Sequence, residues 1–177
     1  MNALSPSLSW RVLLGYALPA LPVAALSIPL GVLLQNYYGE DLGMGLGAIA
    51  VALFISRLSV FVVDPLVGWL SDYITFPFIK GRRRPWILIG AGLCLIAVWQ
   101  LLLPASTPPL WLFTFWTTLA YIGIEFIEVP HSAWTPDLAK NYNDRSLLNT
   151  FRTGGIILGT LLSFVLIGLF PSVDQSI

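Results

Sequence analysis

The sequence predicts an all-α integral membrane protein with five transmembrane helices. Of its 177 residues, 56% are hydrophobic and only 10% are charged, and the mean hydropathy is +0.81. Soluble domains contain about 25% charged residues and disordered chains are polar and rich in charge, so the composition excludes both classes. A membrane-spanning helix needs about 20 mostly apolar residues, and the chain contains five apolar runs of that kind.

The five predicted spans lie within a single membrane domain that covers residues 1–177. They run over about 13–35, 44–70, 86–103, 110–129 and 154–170. Three prolines fall inside the first span, which a membrane helix tolerates because neighbouring groups can satisfy the freed carbonyls. This apolar run is too long for a cleavable signal peptide. Two glycine-rich runs, Gly43–Gly47 and Gly154–Gly159, are expected to let helices pack closely.

The basic residues outside the spans follow a one-sided pattern. They lie in the N-terminal segment, between spans two and three, and between spans four and five, whereas Glu40 and Asp41 lie between spans one and two. Loops rich in Lys and Arg stay on the cytoplasmic side of a membrane. We therefore expect a plasma membrane protein (inner membrane in a bacterium) with its N-terminus in the cytoplasm and its C-terminus outside.

Composition also excludes several function classes. The formal net charge is zero and no basic tract is interleaved with aromatic residues, so nucleic acid is not an expected partner. Cys94 is the one cysteine and His131 the one histidine, which excludes an intramolecular disulfide and disfavours a Cys or His metal site. We expect no enzyme activity, no cofactor and no metal, with membrane lipid as the surrounding partner.

Four charged residues lie at membrane depth, where each costs about 3 kcal/mol on insertion scales. Arg57 and Asp64 are seven residues apart and share one helix face. Glu125 and Glu128 are three apart and share a face of the fourth span. Proton-coupled transport requires a carboxylate that alternates between a positive partner and water, so Asp64 with Arg57 is the candidate site for the coupling ion. A static buried ion pair is the alternative.

A second group of candidates lies around the connection between spans two and three. Asp72 is near the end of span two, where the helix dipole disfavours a carboxylate, so it is expected to bind an arginine or a neighbouring helix N-terminus. Such a contact can lock one conformation and break in another. Anchoring of the loop at the membrane surface is the alternative. The candidate switch comprises Gly68, Asp72, Gly81, Arg82, Arg83 and Arg84.

Two sequence blocks carry a resemblance to a known family. The first joins Asp64-Pro-Leu-Val-Gly-Trp-Leu-Ser-Asp72 to Gly81-Arg-Arg-Arg-Pro-Trp86, and the second starts at Glu128-Val-Pro-His-Ser-Ala-Trp and continues to Arg152. In this order they resemble the glycoside–pentoside–hexuronide:cation symporters of the major facilitator superfamily, a melibiose permease-like group. The resemblance extends over about residues 13–170.

The resemblance implies a transporter of twelve helices in two halves, of which this chain supplies helices one to five of the N-terminal half. By motif position, Asp64 matches a cation-binding carboxylate, and Glu128 and Arg152 match sugar-facing residues. Glu125 and Tyr16 are further candidates to face the solute. The family's other acid on helix two is replaced by Val60, which leaves few oxygen ligands for Na⁺, so coupling to H⁺ is expected and Na⁺ is the alternative.

The leading interpretation is a secondary active transporter that moves a sugar-like small polar solute together with a cation. The chain would then be the beginning or a truncated copy of a larger protein, and would need a second half or a second copy of itself. A complete five-span protein is the alternative for its extent. The alternative function is a non-transporting scaffold of the same fold that binds a partner, and the valine at position 60 favours it.

Overall fold

A computed structural model describes residues 8–77, 81–104 and 107–169. Within these ranges the chain is helical and has no strand, which confirms the all-α prediction. Among the residues that the structure describes, five helices are long and apolar enough to cross a membrane. The prediction of five transmembrane helices is therefore confirmed, and the protein is an integral membrane protein.

The helices are numbered in chain order. They are α1 (Trp10–Glu40), α2 (Leu46–Tyr73), α3 (Arg84–Leu102), α4 (Leu110–Ser132), α5 (Trp134–Leu138) and α6 (Tyr142–Leu169). The start of α6 precedes the predicted start of span five at Gly154, because a helix can continue through polar turns that a hydropathy pattern assigns to a loop. The predicted end of that span, Phe170, lies outside the described residues.

Helix α1 changes its winding at its prolines. Its α-helical parts are Trp10–Ala17 and Ala20–Ile28, and a π-helical turn covers Pro29–Leu33. Proline has no N–H group, so the carbonyl four residues earlier loses its normal helical partner, and a π turn is a common local adjustment inside a helix. The helix nevertheless continues as one apolar span of 31 residues.

The described chain divides into two compact units, which are treated separately below. One unit is Leu30–Ala133 and contains the end of α1 together with α2, α3 and α4. The other combines the described residues of Met1–Pro29 and of Trp134–Ile177, so it contains the start of α1 with α5 and α6.

In the Leu30–Ala133 unit, α3 and α4 meet at two glycines. A Cβ atom placed on Gly90 would lie 2.6 Å from the carbonyl oxygen of Gly123, and one placed on Gly123 would lie 2.9 Å from the backbone nitrogen of Cys94. Ala97 and Ala120 are also fully buried on these helices. Small residues of this kind let membrane helices bring their backbones together.

In the other unit, α6 packs against the start of α1 in the same way. A Cβ atom on Gly155 would lie 2.7 Å from the carbonyl oxygen of Ala17, and one on Gly159 would collide with the carbonyl oxygen of Leu21. The prediction that the run Gly154–Gly159 packs helices is thus confirmed at these two glycines.

The same prediction was wrong for the run Gly43–Gly47. Gly43 and Gly45 adopt φ angles of 67° and 83° in the connection between α1 and α2, and a Cβ atom on either would meet none of the described atoms within 4 Å. Glycine reaches positive φ without steric cost. These two glycines therefore permit the turn into α2 and do not bring the described helices together.

Candidate functional site

Polar and charged side chains follow one another along the contact between α2 and α4. We call them the polar interface, and its members are Ser56, Arg57 and Asp64 on α2 and Thr118, Tyr121 and Glu125 on α4. Ser56 contacts Thr118, Arg57 contacts Tyr121, and Asp64 contacts Glu125. Because these contacts occur in the same order on both helices, α2 and α4 run in the same direction.

The first contact of the polar interface joins two hydroxyl groups. Thr118 Oγ1 donates a hydrogen bond of 3.0 Å to Ser56 Oγ, and Ser56 Oγ donates one of 2.8 Å to the carbonyl oxygen of Ala52. Ser56 is completely buried. A buried hydroxyl is costly unless it is hydrogen-bonded, and these bonds satisfy it where α2 and α4 pack.

The second contact is a cation–π interaction. The guanidinium carbon of Arg57 lies 4.2 Å from the ring centroid of Tyr121. Tyr121 is 6% exposed whereas Arg57 is exposed. A cation above an aromatic ring is attracted by the ring quadrupole. Tyr121 was not among the site residues predicted from the sequence, because a tyrosine in an apolar span carries no signal that tells a cation partner from a packing residue.

The third contact joins two acids, which we call the acid pair: Asp64 of α2 and Glu125 of α4. Their carboxyl groups lie close enough to share a hydrogen bond. Asp64 Oδ1 is buried and has no hydrogen-bond partner among the residues that the structure describes. An ionised carboxylate has only acceptor atoms, so a hydrogen bond between two carboxyl groups requires one of them to hold a proton.

Two further charges act on the acid pair. Glu128, on the same face of α4, repels negative charge on Glu125, whereas the guanidinium of Arg57 attracts it. Among the described residues, no group of three His, Cys, Asp or Glu side chains is arranged to hold a metal ion. The two acids therefore lie beside each other with a cation nearby.

The acid pair changes one premise of the sequence analysis. Val60 had left Asp64 as the one carboxylate considered for the coupling ion, whereas the structure brings Glu125 from α4 to the same place. The two acids are 61 positions apart in the chain. The acids of each helix could be recognised from the sequence, but the sequence does not show which helix faces meet.

The candidate switch is partly assembled at the end of α2. Arg82 and Arg83 each place Nη2 next to Asp72 Oδ1, at 3.1 Å and 3.2 Å. Arg83 also donates a hydrogen bond to the carbonyl oxygen of Ala133, the residue after α4, and its side chain is 8% exposed. The Arg82 side chain is 45% exposed. Arg83 therefore links the ends of α2 and α4 from a buried position, whereas Arg82 is a surface partner of Asp72.

The remaining switch candidates do not join this ion pair. Gly81 has a φ of 104°, so it permits the turn before α3, and Arg84 is exposed. A Cβ atom on Gly68 would lie 3.7 Å from Cγ1 of Val129. That separation is an ordinary van der Waals contact, so α2 and α4 do not require a glycine at position 68 in order to pack as they do.

Tyr16 and Arg152 belong to the other unit. The Tyr16 hydroxyl lies 2.6 Å from Thr135 Oγ1, and its ring is buried in a cluster with Leu13, Ala139 and Leu148. Arg152 is half-buried on α6. The contacts of Tyr16 hold α5 and α6 against α1, so the structure gives this side chain a packing role.

An open groove of about 770 Å³ follows one face of α6. Its lining includes Arg145, Asn149, Thr150 and Thr153. Arg145, Asn149 and Thr153 are four residues apart, and Thr150 is three before Thr153, so they form a polar stripe along the helix. A polar stripe on a helix of a membrane bundle normally faces other helices or a water-filled path.

Comparison with known protein families assigns the chain to a family. Residues 15–176 match the family model described as MFS/sugar transport protein. The chain belongs to this family. The predicted recognition of a facilitator-type symporter family is thereby confirmed, and the five long helices fit the N-terminal bundle of that fold.

Curated relatives of the family are named as transporters. The chain is 33% identical over 123 residues to an uncharacterized symporter of Synechocystis sp., a match that covers 64% of this chain and 22% of the relative. It is 27% identical over 135 residues to a putative sulfoquinovose importer of Escherichia coli, covering 75% and 29%. It is 26% identical over 157 residues to sodium-dependent lysophosphatidylcholine symporter 1-B of Danio rerio, covering 86% and 29%.

These matches establish the general class of function, transport, but not the solute or the coupling ion. The family and these relatives are transporters rather than enzymes. The chain spans less than a third of the length of each of these relatives. Membership of a transporter family therefore follows from the comparisons, and the solute and the coupling ion are inferences from the site.

Proposed function

We propose that the chain forms part of a proton-coupled symporter for a sugar-like small polar solute, in which the acid pair carries the coupling proton. The observation that supports this proposal is that carboxyl groups on two different helices lie close enough to share a hydrogen bond. A proton shared in this way is held by the contact between α2 and α4, so a movement of one helix relative to the other changes its binding.

Charge arithmetic supports a proton as the coupling ion. With one proton, the acid pair carries a charge of −1, which Arg57 balances; without it, the pair carries −2 and one negative charge remains. An uncompensated charge at membrane depth is costly, and Glu128 adds to the repulsion. Loss of the proton therefore has to be accompanied by water access, by movement of Arg57 or by rearrangement of the helices, and that is the property a coupling site needs.

The family and the polar side chains of the α6 groove support the proposed solute class. Within the unit that contains α6, the groove presents the amide and hydroxyl side chains of Asn149, Thr150 and Thr153, which can hydrogen-bond the hydroxyl groups of a sugar. The importer named for sulfoquinovose in Escherichia coli is among the relatives. These features favour a sugar-like solute over an apolar one.

The proposed transport cycle needs more than these five helices. Alternating access moves one helical bundle against another around a central site. A second half, or a second copy of the chain, would supply the other bundle. In vesicles that hold the 177-residue chain alone, we expect no accumulation of sulfoquinovose under a proton gradient, and accumulation would contradict this part of the proposal.

The proposed orientation places the N-terminus in the cytoplasm, because the basic connections then lie on the cytoplasmic side. Reporter fusions at Arg83 and Asn141 should read cytoplasmic, and a fusion at Glu40 should read external. A cytoplasmic signal at Glu40 would contradict this orientation.

A chimaera tests the proposed coupling. The chain replaces the matched segment of the Escherichia coli relative, and cells expressing the chimaera are given labelled sulfoquinovose with or without an imposed proton gradient. Uptake should respond to a pH jump and should not change when choline replaces sodium. Asp64→Asn and Glu125→Gln should each abolish accumulation while exchange of solute continues.

The matched control is Asp72→Asn, which removes a carboxylate outside the polar interface. It should leave the response to the proton gradient intact even if it lowers the rate. Uptake that requires sodium, or normal accumulation by Asp64→Asn, would overturn the assignment of the proton to the acid pair.

A further inference from the structure

We propose that Tyr121 is a positioning residue for Arg57: its ring holds the guanidinium beside the acid pair while the pair keeps its proton, and releases it to the carboxylates when the proton leaves. This inference rests on the proposed function, because it assigns a role in controlling the same proton. Tyr121 and the Arg57–Tyr121 contact were absent from the sequence-based site.

The spacing along the two helices supports this role. Tyr121 precedes Glu125 by four residues, one helical turn, so the ring lies about 6 Å along the axis from the acid at a rise of about 1.5 Å per residue. Arg57 lies over that ring and its charge reaches Glu125. A change of side-chain torsions, without movement of the backbone, is enough to carry a guanidinium across one turn.

The burial of the two partners shows which of them can move. Tyr121 is 6% exposed and packed, whereas Arg57 is exposed. The ring is therefore the fixed partner and the arginine the mobile one. A cation–π contact at a partly exposed site is weaker than a hydrogen-bonded ion pair with a desolvated carboxylate. The ring can hold Arg57 only while the acid pair is protonated, and ionisation of the pair reverses the preference.

Several other titratable groups lie around the polar interface. Among the described residues of this unit, Arg57 is the cation that acts on the acid pair. From α4, Glu128 contributes negative charge. From α3, Cys94 is buried and its thiol lies 3.6 Å from the carbonyl oxygen of Ala120. From the end of α1, Tyr37 stacks edge-on against Tyr38, whose hydroxyl donates a hydrogen bond to the carbonyl oxygen of Leu101.

The test follows the protonation of the acid pair directly, by infrared titration of the 177-residue chain in lipid vesicles. The carbonyl stretch of protonated carboxyl groups is recorded against pH. In Tyr121→Leu, Arg57 is free to approach the carboxylates and stabilise their ionised form. The midpoint of the titration should therefore fall by about 1 pH unit, the smallest effect expected when an opposite charge comes within ~4–6 Å. Tyr121→Phe keeps the ring, so its titration curve should superimpose on that of the parent chain.

Arg57→Gln provides the second arm of the experiment. It removes the cation, so the midpoint should rise, and adding Tyr121→Leu to it should change nothing further. A purely structural role for Tyr121 would give the same shift with or without Arg57. The matched control is Tyr73→Leu, which removes an exposed tyrosine at the end of the same α2 helix and should leave the midpoint unchanged.

The outcomes separate this inference from the proposed function. If Asp64→Asn and Glu125→Gln leave the titrating band unchanged, the acid pair does not hold the proton and the proposed function fails. If those variants remove the band but Tyr121→Leu titrates like the parent, or shifts equally in the Arg57→Gln background, the acid pair stands and the role of Tyr121 is overturned.

Discussion

Helix α4 packs against α3 through small apolar residues and against α2 through polar and charged ones. Towards α3 it presents Ala120 and Gly123, and the backbones approach until a single Cβ atom would collide with a carbonyl oxygen. Towards α2 it presents Thr118, Tyr121 and Glu125, each of which has a polar partner. One helix thus carries a tightly packed apolar contact and a charged contact on different sides.

The difference shows that one membrane helix can have a contact that is independent of protonation on one side and a contact that depends on it on another. The α3 face has no group that can change its charge near neutral pH at the glycine contact, so its geometry does not depend on protonation. The α2 face contains two acids and an arginine, so its energy depends on whether the acids are protonated. We expect substitutions on the α3 face to change stability, and substitutions of the charged residues on the α2 face to change proton binding.

The largest expected effect on stability is at the glycine contact. Gly90→Ala adds a Cβ atom 2.6 Å from the carbonyl oxygen of Gly123, and the helices must separate to admit it. Because overpacking costs about 1–3 kcal/mol and the obstacle here is backbone, we expect a loss of about 3 kcal/mol. Reversible unfolding of the chain in mixed micelles measures the change.

Gly92→Ala is the matched control for that substitution. Gly92 lies two residues further along α3, and a Cβ atom there meets none of the described atoms within 4 Å. Replacing a helical glycine by alanine stabilises a helix by about 0.5–1 kcal/mol, so this variant should be as stable as the parent or more stable. Equal losses in the two variants would mean that the α3 face is not tightly packed.

A smaller effect is expected where the α2 side of α4 ends. Arg83→Ala removes a buried guanidinium that binds both Asp72 and the carbonyl oxygen of Ala133. Hydrogen bonds that involve a charged group contribute about 1.5–3 kcal/mol, so we expect a loss of about 2 kcal/mol by the same unfolding measurement.

The control for Arg83 is its neighbour Arg82. That arginine pairs with Asp72 at the surface, and exposed ion pairs contribute about 0–1 kcal/mol. Arg82→Ala should therefore cost less than half as much as Arg83→Ala. The assignment of Arg83 as the buried link between α2 and α4 fails if the order of the two losses is reversed.

The smallest effect is expected at the hydroxyl contact. Ser56→Ala removes the acceptor of the Thr118 hydrogen bond from a completely buried position. Interhelical hydrogen bonds in membranes contribute about 0.6 kcal/mol on average, and we expect a loss of that size. Because Ser56 carries no charge, the proton titration of the chain should not move, whereas a clear shift would extend the proton site to this end of the polar interface.

The membrane fold could be predicted from the sequence because hydropathy is a property of consecutive residues in one helix. Some features can be interpreted from one helix or one helix contact alone: the five apolar runs, the prolines of α1, and Gly155 and Gly159. The acid pair could not be predicted in the same way. Asp64 and Glu125 were both recognised as costly charges, but their meeting depends on how α2 and α4 are rotated and aligned, and that alignment is a property of the packed unit.

Tyr121 marks a different limit of sequence reasoning. In an apolar span, a tyrosine is consistent with packing, with an interfacial position or with a cation contact, and the sequence pattern does not separate these roles. Glu125 was predicted to face the solute because it shares a helix face with Glu128. Its closeness to Asp64 supports the proposed role in proton binding, and Glu128 is kept as a proposed contact for the solute.

The most direct test of the account is whether the acid pair holds one proton at neutral pH. Infrared spectra of the chain in lipid vesicles should contain a band from a protonated carboxyl group at neutral pH. Asp64→Asn and Glu125→Gln should each remove that band, because the remaining carboxylate then has an amide partner and can ionise beside Arg57, and Asp72→Asn should leave it intact. A parent spectrum without the band, or a band that survives both substitutions, would contradict the claim that these two carboxyl groups share the coupling proton.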